Sequence, residues 1–126
     1  MSTYNFFLVF IGGGLGSVFR YLISKATDCF FSFSFPVATF LSNISAVVIL
    51  ALIFFLSSFK NAEHENLRLM IVIGLCGGLS TFSTFSLETA ELIRKGEISW
   101  AIANIAFSNI ACIGIMLFSI RQVQAT

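Results

Sequence analysis

Residues 74–86 read Gly74-Leu75-Cys76-Gly77-Gly78-Leu79-Ser80-Thr81-Phe82-Ser83-Thr84-Phe85-Ser86, in the middle of an apolar run over about 69–93. A run of that length can cross a bilayer, which takes about 20 residues of helix. A regular lipid-facing helix gains nothing from three glycines and five hydroxyls at its centre, because each glycine in a helix interior costs about 1 kcal/mol relative to alanine. The composition predicts a membrane helix broken in mid-span. Such a break frees backbone carbonyls, which membrane depth tolerates only where protein, water or an ion satisfies them.

Three further apolar runs flank this one, at about 5–25, 36–59 and 99–120. Together they predict an all-α integral membrane protein with four transmembrane helices in a single domain, residues 1–126. Of the 126 residues, 57% are hydrophobic and only 10% charged, with a formal net charge of +1. That excludes a soluble globule and gives no handle for nucleic acid or an acidic soluble partner. The first run opens at Phe6 with no preceding Lys or Arg and no small-residue cleavage site after it, so it is expected to remain in the mature protein. The connections are an aromatic one from Asp28 to Phe35, with Phe30, Phe31 and Phe33, a charged one from Lys60 to Arg68, and a tight turn at Arg94-Lys95-Gly96-Glu97. Pro36 suits the first turn of the second helix, and Trp100 the headgroup level at a span's edge.

With an even number of spans, both termini share a side with Lys60, Arg68 and Arg121, while Arg20, Lys25, Arg94 and Lys95 lie on the other. Orientation follows the bias of Lys and Arg between the two sides. Three against four, with the terminal amine added to the smaller group, is almost no bias. Insertion both ways round is expected, and since four helices hardly enclose a water-filled path, an antiparallel two-fold homodimer is its natural form.

Within the first span, Gly12 with Gly16 and Gly13 with Ser17 are small-xxx-small pairs that permit close helix approach. Arg20 shares their face and is either a snorkelling anchor at the helix end or a cationic lure for anions. Thr39, Ser42 and Asn43 form one polar stripe on the second helix, which serves as helix glue or as an ion path. Phe82 and Phe85, three residues apart, share a helix face with the hydroxyls of Ser83 and Thr84 beside them. They are packing residues or, with their electropositive ring edges turned inward, the wall of a path for a small anion. Asn104, Ser108 and Cys112 recur every fourth residue on the last helix, with Asn109 adjacent, and this seam fits glue or pore equally. Glu91 precedes Lys95 by four, the spacing of an ordinary surface ion pair. Cys29, Cys76 and Cys112 lack metal-type spacing and read as small core residues.

Taken together, Gly13-Gly14-Leu15-Gly16-Ser17-Val18-Phe19-Arg20-Tyr21, Thr39 with Asn43, and Gly74 to Phe85 resemble the Fluc (CrcB) fluoride channel family over essentially the whole chain. The resemblance implies a dual-topology antiparallel homodimer with two pores lined by both subunits, in the inner membrane of a bacterial cell. Each pore would let fluoride leave the cytoplasm down its electrochemical gradient. The fluoride pathway it implies comprises Asn43, Phe82, Phe85, Ser83, Thr84, Thr39, Ser108 and Arg20. Gly77 and Ser80 match the positions whose backbone carbonyls hold a structural, untransported sodium ion (Na+) at the dimer centre. Ser80 stands where threonine is common, a change that leaves a backbone role intact. Ala38 replaces a frequent glycine, and the fourth helix matches only loosely, so Asn104, Ser108 and Asn109 are weaker pore candidates.

The main rival is a small dual-topology proton-coupled multidrug exporter, which needs an ionisable group at membrane depth. The first span has no acid, and Glu88 lies past the breaker segment toward its helix end. A non-transporting membrane subunit would need only the glycine-rich packing faces and leaves the hydroxylated third helix without a purpose. An enzyme is disfavoured because His64, the sole histidine, sits in a charged connection without a nucleophile and base around it.

Overall fold

The computed structural model describes residues 3–30, 35–56 and 65–125. Four helices, α1 (Thr3–Phe30), α2 (Val37–Phe55), α3 (Glu65–Arg94) and α4 (Ile98–Gln124), are each long and apolar enough to cross a membrane. The shortest, α2 with 19 residues, is about 28 Å long at 1.5 Å per residue, close to the hydrocarbon thickness of a bilayer.

The bundle is turned inside out relative to a soluble one. Phe10, Phe82, Ile110 and Phe118 are exposed, whereas Thr39, Ser42, Thr81, Thr89, Asn104, Ser108 and Ser119 are buried. Water would reverse that arrangement. In lipid there is no hydrophobic drive between helices, so contacts form through small residues and interhelical hydrogen bonds.

α1 lies mainly along the first half of α3, and α2 along α4. The α1–α3 crossing is backbone against backbone. A Cβ on Gly12 would collide with the Met70 carbonyl oxygen, one on Gly16 with that of Leu75, and one on Gly78 with that of Gly13. From Gly74 a Cβ would reach the Gly12 Cα at 2.8 Å. The small-residue pair Gly12 and Gly16 thus finds its counterpart in Gly74 and Gly78 of the same chain. Beside this crossing Ala46, Cys76 and Leu79 form the buried apolar centre.

α3 changes its winding along its length. Leu69–Cys76 is π-helical, a rare form that concentrates at functional sites, and Gly77–Leu79 is α-helical. Ser80 (φ −77°, ψ 152°) and Thr81 (φ −151°, ψ 123°) are extended. Helix resumes from Phe82 to Arg94. Its end is a glycine-capped turn: Gly96 has φ +80°, the Gly96 N–H donates to the Ile93 carbonyl at 3.0 Å and the Glu97 N–H to that of Leu92 at 2.9 Å. These are the paired bonds of a Schellman motif, and the left-handed residue between them favours glycine.

Helix ends do not coincide with the ends of the apolar stretches, and they depart from them in both directions. α1 runs to Phe30, so Asp28, Cys29 and Phe30 are helical rather than part of the first connection. Cys29 is consequently exposed and not a core residue; Cys76 is buried and Cys112 half-buried. α2 stops at Phe55 with Leu56 extended, short of residue 59, and Pro36 caps α2 from outside instead of sitting in its first turn. Hydropathy marks where a chain enters lipid, whereas helix ends depend on local backbone bonding. Phe35 packs against both Phe40 (5.7 Å between ring centroids) and Trp100 (5.9 Å), joining the starts of α2 and α4. Phe31, Phe33, Lys60 and His64 lie outside the described residues.

Candidate functional site

The extended pair Ser80–Thr81 is held by one side chain of α2. Asn43 accepts from the Thr81 N–H at 2.7 Å through Oδ1 and donates to the Thr81 carbonyl at 3.3 Å through Nδ2. A side-chain amide presents a donor and an acceptor as a backbone unit does, so Asn43 pairs with Thr81 as a strand neighbour would. One Nδ2–H remains, and Asn43 borders a cavity of about 240 Å³ together with Thr81, Phe82, Phe85 and Ser108.

This bracketing has consequences for the carbonyls before it. In a continuous helix the Thr81 N–H would donate to the Gly77 carbonyl and the Thr84 N–H to that of Ser80. Here the Thr81 N–H goes to Asn43, and the Thr84 N–H goes to the Thr81 hydroxyl at 3.2 Å, with Thr81 acting as N-cap. Both Gly77 and Ser80 thereby lose their helical donor. The Ser80 hydroxyl turns back to the Cys76 carbonyl at 2.9 Å, away from this point.

Phe82 and Phe85 lie with ring centroids 5.7 Å apart and planes inclined by 35°. Phe82 is 79% exposed and Phe85 half-buried, so the pair opens outward from the single chain. The Thr81 hydroxyl lies 3.1 Å from that of Ser83 and donates to that of Thr84 at 3.2 Å. Hydroxyls therefore run continuously from the extended pair into the restarted helix.

On the other side of Thr84 a second cavity, about 310 Å³, gathers Arg20, Thr39, Ser42, Thr84 and Glu88. Thr39 donates to Glu88 Oε1 at 2.8 Å. Ser42 Oγ and the second carboxylate oxygen of Glu88 are buried without a protein partner among the described residues, and buried polar atoms as a rule are partnered by protein or water. The half-buried Arg20 borders this cavity from α1.

On α4, Asn104 and Ser108 are buried, Cys112 is half-buried and Asn109 is exposed. Ser108 donates to Asn104 Oδ1 at 3.3 Å, and Asn104 Nδ2 donates to the Thr89 hydroxyl at 2.9 Å. Asn109 borders the first cavity and donates back to the Ile105 carbonyl at 2.7 Å.

The sequence candidates accordingly fall into two clusters. Asn43, Phe82, Phe85 and Ser108 meet in one cavity, Arg20, Thr39 and Thr84 in the other, and the Thr81 hydroxyl joins Ser83 and Thr84 between them. Sequence reasoning assigned no role to Thr81, although a threonine directly before the apolar pair Phe82 and Phe85 is a helix N-cap signal. Glu88 and Thr89 carry no signal in the sequence beyond their place on the last turns of a membrane helix.

Residues 7–120 match the family described as "CrcB-like protein, Camphor Resistance (CrcB)". Similar proteins include "Fluoride-specific ion channel FluC" of Pyrococcus furiosus, 43% identical over 111 residues and covering 88% of both chains. "Fluoride-specific ion channel FluC 2" of Nitrobacter hamburgensis is 41% identical over 97 residues, 77% of this chain and 78% of the relative. FluC of Flavobacterium psychrophilum is 38% identical over 102 residues, 81% and 82% of the two chains.

Proposed function

This chain belongs to the CrcB family, and from that premise we propose that it is a fluoride-selective channel that lowers cytoplasmic fluoride by passive export. The observation that carries the reading is the cavity where Asn43, Phe82, Phe85 and Ser108 meet beside the extended Ser80–Thr81 pair. Fluoride is small and strongly hydrated, so a path for it must replace water with many donors, none so strong that the ion is trapped. Amide and hydroxyl donors supply the strong contacts, and electropositive ring edges fill the intervals. Fluoride that enters as its neutral acid ionises inside the cell, and the membrane potential then drives the anion out without an energy source.

The working unit is a homodimer of antiparallel, dual-topology subunits in a bacterial inner membrane, with α3 broken at membrane depth. The outward-facing Phe82 and the nearly balanced Lys and Arg count support it. A second copy would complete the wall that one chain leaves open. The donor set also fits a structural sodium ion: the carbonyls of Gly77 and Ser80 are stripped of their helical N–H partners, hard cations take oxygen ligands, and a two-fold axis doubles each ligand. A Cβ on Gly77 would meet nothing within 4 Å, so the single chain's own packing does not require a glycine there. Bound between two copies, the ion would neutralise converging carbonyl dipoles and tie the subunits together. It is not transported.

Liposomes containing only the purified protein test the function. Fast fluoride release without chloride release is expected, and retention of fluoride would sink the reading. Tags accessible from both membrane faces test the topology; a uniform orientation in every molecule would rule out the antiparallel dimer.

A further inference from the structure

Several hydroxyls in this protein donate to the carbonyl four residues back, whereas Thr39 and Ser119 reach across to a neighbouring helix. Ser80 donates to Cys76 at 2.9 Å, Ser86 to Phe82 at 2.8 Å and Thr89 to Phe85 at 2.7 Å, as serine and threonine inside helices commonly do. Ser108 does neither. Its hydroxyl bonds to the side chain of Asn104, not to that residue's carbonyl, and at 3.3 Å the bond is long for an O–H···O contact, whose usual range is about 2.5–3.0 Å.

The direction of every bond in this chain of groups follows from chemistry. A carbonyl only accepts, so the Thr89 proton points at the Phe85 carbonyl and Thr89 Oγ1 faces Asn104 with a lone pair. Only the NH₂ end of Asn104 can meet that lone pair. Oδ1 must then face Ser108, and Ser108 must donate. The relay starts at the backbone of Phe85 and ends at Ser108, both on the same cavity. Asn104 itself is fully buried, at 0% exposure, and does not border that cavity.

We propose that Asn104 is a positioning residue for the ion path: its amide, oriented by Thr89, diverts the Ser108 hydroxyl from a tight backbone bond and keeps its proton loosely held for a passing anion. The inference rests on the fluoride-channel reading and adds to it a residue that touches no ion. A long neutral bond is readily exchanged for a short charge-assisted one when an anion arrives, and is re-formed when it leaves. Without the Asn104 amide, Ser108 would fall back on the carbonyl of residue 104, and its proton would be more costly to release.

A double-mutant cycle in fluoride-loaded liposomes tests this, using Asn104→Ala, Ser108→Ala and the combination. Asn104→Ala is expected to slow fluoride release about five- to tenfold in the parent, the worth of roughly one net hydrogen bond. In the Ser108→Ala background the same change should cost less than about twofold, because the hydroxyl it acts through is gone. Equal losses in both backgrounds would make Asn104 a helix clamp and overturn the proposal, as would an unimpaired Asn104→Ala single variant. Independently of flux, the Asn104 side-chain amide protons of ¹⁵N-labelled protein in micelles should exchange slowly with solvent, and quickly after Thr89→Val. Fast exchange in the parent would overturn the relay. A parent that releases no fluoride would instead overturn the channel reading, while a protected Asn104 amide in that sample would still uphold the relay.

Discussion

α3 faces two quite different seams. Against α1 it presents Gly74 and Gly78 to Gly12 and Gly16, and backbone meets backbone so closely that no side chain fits. Against α2 and α4 it presents Thr81, Glu88 and Thr89, each bonded to a polar side chain of the neighbouring helix, and Thr81 and Glu88 border cavities. The first seam is closed and gains its stability from van der Waals contact. The second is held by directional bonds that keep the helices apart, and space remains between them. One helix is thus packed tightly along its first half and bordered by hydroxyl-bearing cavities along its second.

The largest effect should come from breaking the closed seam. Gly16→Leu or Gly78→Leu sets a side chain on the Leu75 or Gly13 carbonyl, which cannot move without shifting a whole helix, and no folded, monodisperse protein should be recovered on gel filtration in detergent. Overpacking of this kind costs about 1–3 kcal/mol even where side chains can yield. Gly77→Ala sharpens the contrast, since its Cβ meets nothing within 4 Å in the chain; a normal helical circular-dichroism spectrum is expected.

In the open seam, Asn43→Asp should fold and yet conduct poorly. A carboxylate 4 Å from the passing anion opposes it by roughly 4 kcal/mol at an effective dielectric of 20, about a thousandfold in rate. Unimpaired liposome flux in this variant would return Asn43 to the role of helix bracket alone. Phe82→Ile and Phe85→Ile keep apolar bulk and remove the ring edge, with an expected loss of at least about tenfold in fluoride flux. Because Phe82 is largely exposed on the single chain, thermal stability should hardly change; conduction like the parent's in both variants would make the rings packing residues.

The smallest effect belongs to a polar contact outside both cavities. Ser119 donates to the Ala51 carbonyl at 3.0 Å and ties α4 to α2. Ser119→Ala should lower stability by about 0.5–1 kcal/mol, seen as a small drop in thermal midpoint, and leave fluoride flux unchanged. A marked loss of flux would extend the functional seam beyond the cavities.

Sequence alone determined the properties that lie along one helix. Hydropathy marked four spans, the glycine and hydroxyl density of residues 74–86 marked the stretch of α3 that holds the extended Ser80–Thr81 pair, and spacings of three and four placed Thr39, Ser42 and Asn43, or Asn104 and Ser108, on common faces. Those follow from the helical period, which every residue of a helix shares. The tertiary structure decided what those faces meet. Asn43 pairs with Thr81 across 38 residues, Thr39 with Glu88 across 49, and Asn104 with Thr89 across 15. No periodicity encodes these partners, because they depend on how far each helix is rotated about its axis and where it crosses its neighbour. For α1 and α3 the close approach at the glycines limits that rotation, at a distance from the polar groups farther along α3.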